Sequence, residues 1–149
     1  MKIVICNSVV FWKEALFAKN HFEQQGYEVE THPMEVEIEG KKIHVEEYYT
    51  MRKSTWNEEI EDRKYELMKK HFDLIKNCDR IVVLNLDKNG IKNYIGGNTF
   101  LEMGVAFALE KDIYLTNPIP ENLSYTEEIK GMKPHVMNWN IERMIRNDS

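Results

Sequence analysis

The 149 residues suit a single domain, with 42% apolar residues to build one core and 30% charged residues to solvate it. The net charge of −5, with basic residues interleaved among acids as in EEIEDRKYELMKK, argues against a broad nucleic-acid footprint, which gathers Lys and Arg on one face. No run approaches the roughly 18 uninterrupted apolar residues of a membrane span, and MKIVICNSVVFWKE has too short an apolar run and no small-residue cleavage site for a signal peptide.

In chain order, KIVIC (2–6) is a continuous β-branched run and predicts a strand buried on both faces. Asn7 and Ser8 follow it. A helical pattern, FWKEALFAKNHFEQQ, ends at Gly26, the expected stop. YEVETH predicts a second strand, halted by Pro33. Residues 34–56 alternate Val36, Ile38, Ile43 and Val45 with polar residues around Gly40, which fits a small hairpin or a flap over a site. WNEEIEDRKYELMKKHFDLIKN predicts an amphipathic helix whose inner face carries Ile60, Leu67, Met68, His71 and Ile75.

RIVVLNL (80–86) predicts the third strand, ended by Asp87, and KNGIKNYIGG leads into the apolar helix TFLEMGVAFAL. DIYLTNP is the fourth strand, SYTEEIKGM a short helix, PHVMNW a fifth strand and NIERMIRN a closing helix. Strands alternating with helices imply an α/β fold with a parallel sheet covered on both faces. The expected fold is a flavodoxin-like, Rossmann-like doubly wound sheet of five strands, order 2-1-3-4-5, in one domain spanning 1–149 with an insertion near 34–56. In such a sheet ligands bind at the carboxyl ends of the strands where the order reverses. That rule picks out Asn7 and Ser8 after the first strand, and Asp87 through Thr99 after the third.

Several chemistries lack their signatures. There is no GxxxxGK[ST], no GxGxxG after the first strand and no GxSxG elbow. The five histidines form no HExxH or comparable pair, and the two cysteines, Cys6 and Cys78, form no CxxC. Neither a dedicated metal site nor a cofactor is expected. Both cysteines read as buried thiols of a reduced, cytoplasmic protein.

Glu102 is the one charge within TFLEMGVAFAL. It has two readings. In one, TFLE is a capping box, with Thr99 at the N-cap and Glu102 reaching back to its amide. In the other, Glu102 does chemistry: a buried carboxylate is costly unless satisfied, a helix N-terminus favours its ionised form, and Gly96, Gly97 and Asn98 let backbone amides approach an anion.

The stretch GGNTFLEMGVAFALEKDIYL, with its T-x-x-E-x-G-x-A pattern, together with CDRIVVLNLD upstream and NPIPENLSYTEEIKGM downstream, resembles the nucleoside 2-deoxyribosyltransferase superfamily, which includes 2-deoxynucleoside 5-phosphate N-hydrolases. The resemblance covers most of the framework but not residues 34–56. It implies that Glu102 attacks C1 of the sugar and forms a covalent glycosyl–enzyme, which water or a second base resolves. It implies a small nucleoside or nucleotide as substrate, no nucleic acid polymer and no membrane. It also implies a homodimer or larger assembly in which residues after the fourth strand, Asn122 or Ser124, reach a neighbouring site. Asn117 and Pro118 would line the pocket, and Tyr48, Tyr49 and Trp56 could stack on a base.

The sequence departs from the family in three places. Gly96 stands where relatives often carry an acid or serine. No tyrosine follows the first strand. His71 stands where counting back from Asp79 should reach a second carboxylate, and it is the candidate proton donor to the base. Two other activities remain compatible with the residues: a nucleotide-binding module without catalysis, and a glutamate-dependent NAD glycohydrolase.

Overall fold

The computed structural model describes residues 1–140. The predicted closing helix, NIERMIRN, lies outside the described residues except for Asn140. Strand β1 (Lys2–Cys6) is the hub of a five-stranded parallel sheet that also contains β2 (Glu28–Glu30), β5 (Arg80–Val83), β6 (Asp112–Leu115) and β7 (His135–Val136). The order is β2-β1-β5-β6-β7, which is the expected 2-1-3-4-5 once the inserted hairpin is set aside. β1 and β5 sit mid-sheet and are almost wholly buried, which explains their unbroken apolar runs.

Helices cover both faces. Helix α1 (Trp12–Gln24) lays Ala15, Ala18 and Phe22 on Ile3, Ile5, Val82 and Leu84. It stops where Gly26 takes φ 94, a backbone angle that suits glycine. On the other face, α3 (Glu58–Lys76), α4 (Gly97–Ala108) and α5 (Thr126–Gly131) surround Val4, Cys6, Ile81 and Val83 with Ile75, Met103, Ala106 and Ile129. The predicted stripe on α3 holds: Ile60, His71 and Ile75 are buried, and Leu67 and Met68 are half-buried.

The insertion near 34–56 resolves into a hairpin and a helix. β3 (Glu35–Ile38) pairs antiparallel with β4 (Lys41–His44). Glu39 and Gly40 join them with φ 52 and 75, the two positive angles of the turn that matches hairpin twist. The helix that follows, α2 (Val45–Ser54), is new to the structure. The expectation for this stretch is a hairpin or a flap, but the His44 ring caps a helix by accepting from the Glu46 amide at 3.1 Å. Glu46 and Glu47 at its start and Arg52 and Lys53 at its end also complement the helix dipole. Val36, Ile38, Val45, Tyr48 and Ile60 bury together, so the insertion has a small core of its own against the start of α3.

Candidate active site

At the carboxyl ends of β1 and β5 lies a cleft with two lobes. The larger, about 380 Å³, is lined on one side by Leu16, Met34, Val45, Leu67 and Met68 and reaches His71 and Glu102. The smaller, about 150 Å³, is lined by Ser8, Tyr49, Lys88, Tyr94 and residues 96–99. Asn7, Val9, Arg52, Lys64 and Asn98 border both.

The helix bearing Glu102 begins earlier than the sequence suggested. Its N-cap is Gly96, which makes no side-chain capping bond, and Gly97 is its first residue. Thr99 is therefore inside the first turn and Glu102 in the second. The capping-box reading fails, because a cap bond needs the two residues at the boundary and both lie past it. Nor does the helix N-terminus hold Glu102 ionised. The carboxyl is 4% exposed, and this burial pushes its pKa up to about 8 from an ordinary 4.5, with the nearby Lys64 ammonium pulling the other way.

His71 Nε2 lies 3.4 Å from Glu102 Oε2. Burial pushes the ring down to about 4, with His32 adding repulsion. That burial works against a second proton on His71, the expected acid for the leaving base, although the ring does line the larger lobe. Cys6 Sγ sits 3.6 Å from the same nitrogen.

Most of the residues expected after the first and third strands converge. Asn7 is 7% exposed, donates to the Ser8 carbonyl at 2.8 Å and meets His32 Nε2 at 3.3 Å, and leaves its Oδ1 without a partner. Ser8 Oγ accepts from Lys88 Nζ at 3.1 Å. Gly96, Gly97, Asn98 and Thr99 line the smaller lobe. A Cβ on Gly96 would stand 3.1 Å from Tyr94 Oη, so the space for a side chain there is taken by the tyrosine ring.

Others do not converge. Asp87 is exposed and accepts from the Asn93 amide at 2.9 Å, anchoring the loop outside the cleft. Asn117 belongs to a latch between β5 and β6: its amide donates to Asn85 Oδ1 at 3.0 Å, and its side chain returns a bond to the Asn85 carbonyl at 3.2 Å. Pro118 is exposed, and its carbonyl accepts from the Asn85 side chain in the same latch. Asn122 and Ser124 are exposed and line neither lobe. Trp56 is exposed and donates to Glu61, away from the cleft, whereas Tyr48 lines the larger lobe and Tyr49 the smaller.

Sequence reasoning missed the cations. Lys88 Nζ donates to Tyr49 Oη at 3.2 Å as well as to Ser8. Lys64 Nζ donates to Asn98 Oδ1 at 3.2 Å. Arg52 stacks on the rings of Tyr48 and Tyr49. None of the three has a carboxylate partner within ion-pair distance among the described residues. Burial and Arg52 push the Lys64 ammonium down to about 8, partly offset by Glu102. Two of them left a trace in the sequence. Lys64 falls four residues after Ile60 on the inward stripe of α3, and Lys88 follows the strand end that the switch-point rule selects.

No protein-family model matches the sequence. No curated protein matches it either. Among solved structures, the 2-deoxyribosyltransferase of Bacillus psychrosaccharolyticus superposes with a TM-score of 0.53 at 16% identity, over 83% of this chain and 77% of that one. The CMP N-glycosidase BcmB of Clostridium botulinum gives a TM-score of 0.50 at 18% identity, over 92% of this chain and 84% of that one. This chain shares their fold. It is the fold expected from the sequence, a parallel sheet of order 2-1-3-4-5 with helices on both faces. In the described residues no helix is long and apolar enough to cross a membrane.

Proposed function

We propose that this protein cleaves or transfers the N-glycosidic bond of a nucleoside 5-monophosphate through Glu102. The observation that carries the reading is one cleft with an apolar lobe that reaches a buried glutamate and an adjoining lobe with three cations that form no ion pair among the described residues. The apolar lobe suits a base, with Tyr48 and the Met34, Leu67 and Met68 side chains against its faces. Arg52, Lys64, Lys88 and the free amides at the start of α4 suit a phosphate. That arrangement favours the monophosphate over the free nucleoside. The shared fold with a deoxyribosyltransferase and a CMP N-glycosidase supports the same bond as the target.

The sugar then lies over Glu102. Its ionised carboxylate attacks C1, the bond to the base breaks, and the base leaves with the bonding electrons and takes up a proton. Water or an acceptor base attacks the same carbon, breaks the ester and returns the carboxylate. Asn7 sits at the junction of the lobes with its Oδ1 unpaired, within reach of a sugar hydroxyl. The assembly is a homodimer or larger. Leu101, Phe107 and Leu109 are exposed apolar side chains on and just after α4, which supports this.

The deciding experiment incubates the protein with a panel of nucleosides, deoxynucleosides, their monophosphates and NAD, and follows free base. Release from a monophosphate, abolished by Glu102→Ala, is the expected result. Nucleotide binding with no release from any substrate would leave a binding module, and release from NAD alone would make the protein a glycohydrolase.

A further inference from the structure

Cys6 has no part in the chemistry above, yet it is fully buried against the two residues at the centre of the site. Among the described residues, Cys6, His71 and Glu102 form the one trio of metal-ligating groups, with their donor atoms all within 4.8 Å of one another. The three come from β1, α3 and α4, which the sheet order brings together at one strand end.

Two of the three edges have the lengths a zinc ion would impose. Bond lengths of about 2.3 Å to sulfur and about 2.0–2.1 Å to nitrogen or oxygen, at the tetrahedral angle, set the S···N edge near about 3.5 Å and the N···O edge near about 3.3 Å. Cys6 Sγ to His71 Nε2 is 3.6 Å, and His71 Nε2 to Glu102 Oε2 is 3.4 Å. The donors are those zinc takes: a thiol, an imidazole nitrogen and a carboxylate oxygen. The Ile5 backbone also bonds the His71 ring and favours a proton on it, which is how ligating histidines are usually oriented. His71 and Glu102 also line the larger lobe, so the trio borders the cleft.

We propose that Cys6, His71 and Glu102 bind a zinc-class divalent cation, and that the bound ion takes Glu102 out of the glycosidic reaction. On binding, the thiol and the carboxyl release their protons to solvent. Thiolate and carboxylate then balance the two charges of the ion, and the neutral imidazole completes three ligands. The Lys64 ammonium opposes the ion from the side of Glu102. An ion on Glu102 Oε2 draws off the negative charge that makes the carboxylate a nucleophile toward C1. Metal binding stands on the geometry alone, and only the blocking effect rests on the proposed glycosidase reading.

The test is a titration of chelator-treated full-length protein with Co2+. One equivalent should produce the strong visible bands of a tetrahedral site and a thiolate-to-cobalt absorption in the near ultraviolet, and Zn2+ should displace both. Cys6→Ser should lose the thiolate band, His71→Ala should lose stoichiometric binding, and Cys78→Ser should keep both. Absence of the bands in the unaltered protein, or a thiolate band that survives Cys6→Ser or disappears with Cys78→Ser, overturns the site. A second measurement needs no variant: Zn2+ should raise the thermal unfolding midpoint of the unaltered protein, and no shift at saturating ion overturns the site as well. For the blocking effect, Zn2+ should suppress base release and a chelator should restore it. Zinc that accelerates release instead overturns that part. If no substrate of the panel is cleaved, the cobalt spectrum still decides the metal site.

Discussion

At Glu102 two opposing forces set the charge. Burial favours the protonated carboxyl and the nearby Lys64 ammonium favours the carboxylate; burial wins, at a pKa of about 8. Near neutral pH the carboxyl of the free protein is then mostly protonated. Base release should therefore climb with pH and level off above about 8, read from a pH profile of kcat/KM. Glu102→Gln should lose about 10³-fold or more of the rate. It should also expose a linkage in stability. From about 4.5 to about 8 the folded protein holds a proton that the unfolded chain has released, so this group's stabilisation is complete below the lower value and lost as pH rises through the higher. Glu102→Gln removes that loss, and its thermal midpoint should pull ahead of the unaltered protein's as pH rises toward 8. His71 has the opposite sense, its contribution being present above about 6.5 and lost toward about 4, but it is shared by both proteins. An equal gap at every pH would contradict the buried-carboxyl account.

Among the elements, the insertion and the loop after β5 supply what the sheet alone lacks. α2 brings Tyr49 and Arg52 to the smaller lobe, and the loop brings Lys88 and Tyr94. Lys88 bonds both Ser8 and Tyr49, so one side chain ties the strand-end loop of β1 to the inserted helix. Arg52→Ala and Lys88→Ala should each raise KM for a monophosphate by about tenfold, as expected for loss of one charge-assisted contact. KM for the matching free nucleoside should stay nearly unchanged. Equal losses on both substrates would mean these residues hold the insertion in place and do not read a phosphate. Legibility differed between elements for a physical reason. β1 was readable because burial on both faces leaves an unbroken apolar run, and the stripe of α3 because burial on one face leaves a period. α2 was not, because Val45 continues the alternation of Ile43 and so reads as strand, and the cap that starts the helix there is a histidine ring.

For the whole molecule, α4 carries two of the exposed large apolar side chains among the described residues. Leu101 and Phe107 are more than half exposed, on the helix whose other side carries Glu102. A dimer through this surface would bury them and fix the back of the active-site helix. Light scattering should give twice the chain mass, and Leu101→Glu with Phe107→Glu should return a folded monomer with reduced base release. A monomeric unaltered protein would remove the assembly from the proposal.

The sequence by itself determined the doubly wound sheet, its strand order and the end of it where the cleft lies, because alternating strands and helices admit few topologies and the order reversal fixes the crevice. It also singled out Glu102, since a lone carboxylate in an apolar helix is costly and so conspicuous. What only the tertiary structure decided is which side chains meet there. Cys6, His71 and Glu102 are 65 and 31 residues apart in the chain yet share one nitrogen's surroundings. Asp87, chosen by the same strand-end rule as Asn7 and Ser8, and Asn117, at the end of the fourth strand, turn instead to the backbone of Asn93 and Asn85. A strand-end position tells where a residue starts. Whether it faces ligand or scaffold depends on which backbone groups near it lack partners, and those are set by contacts distant in sequence.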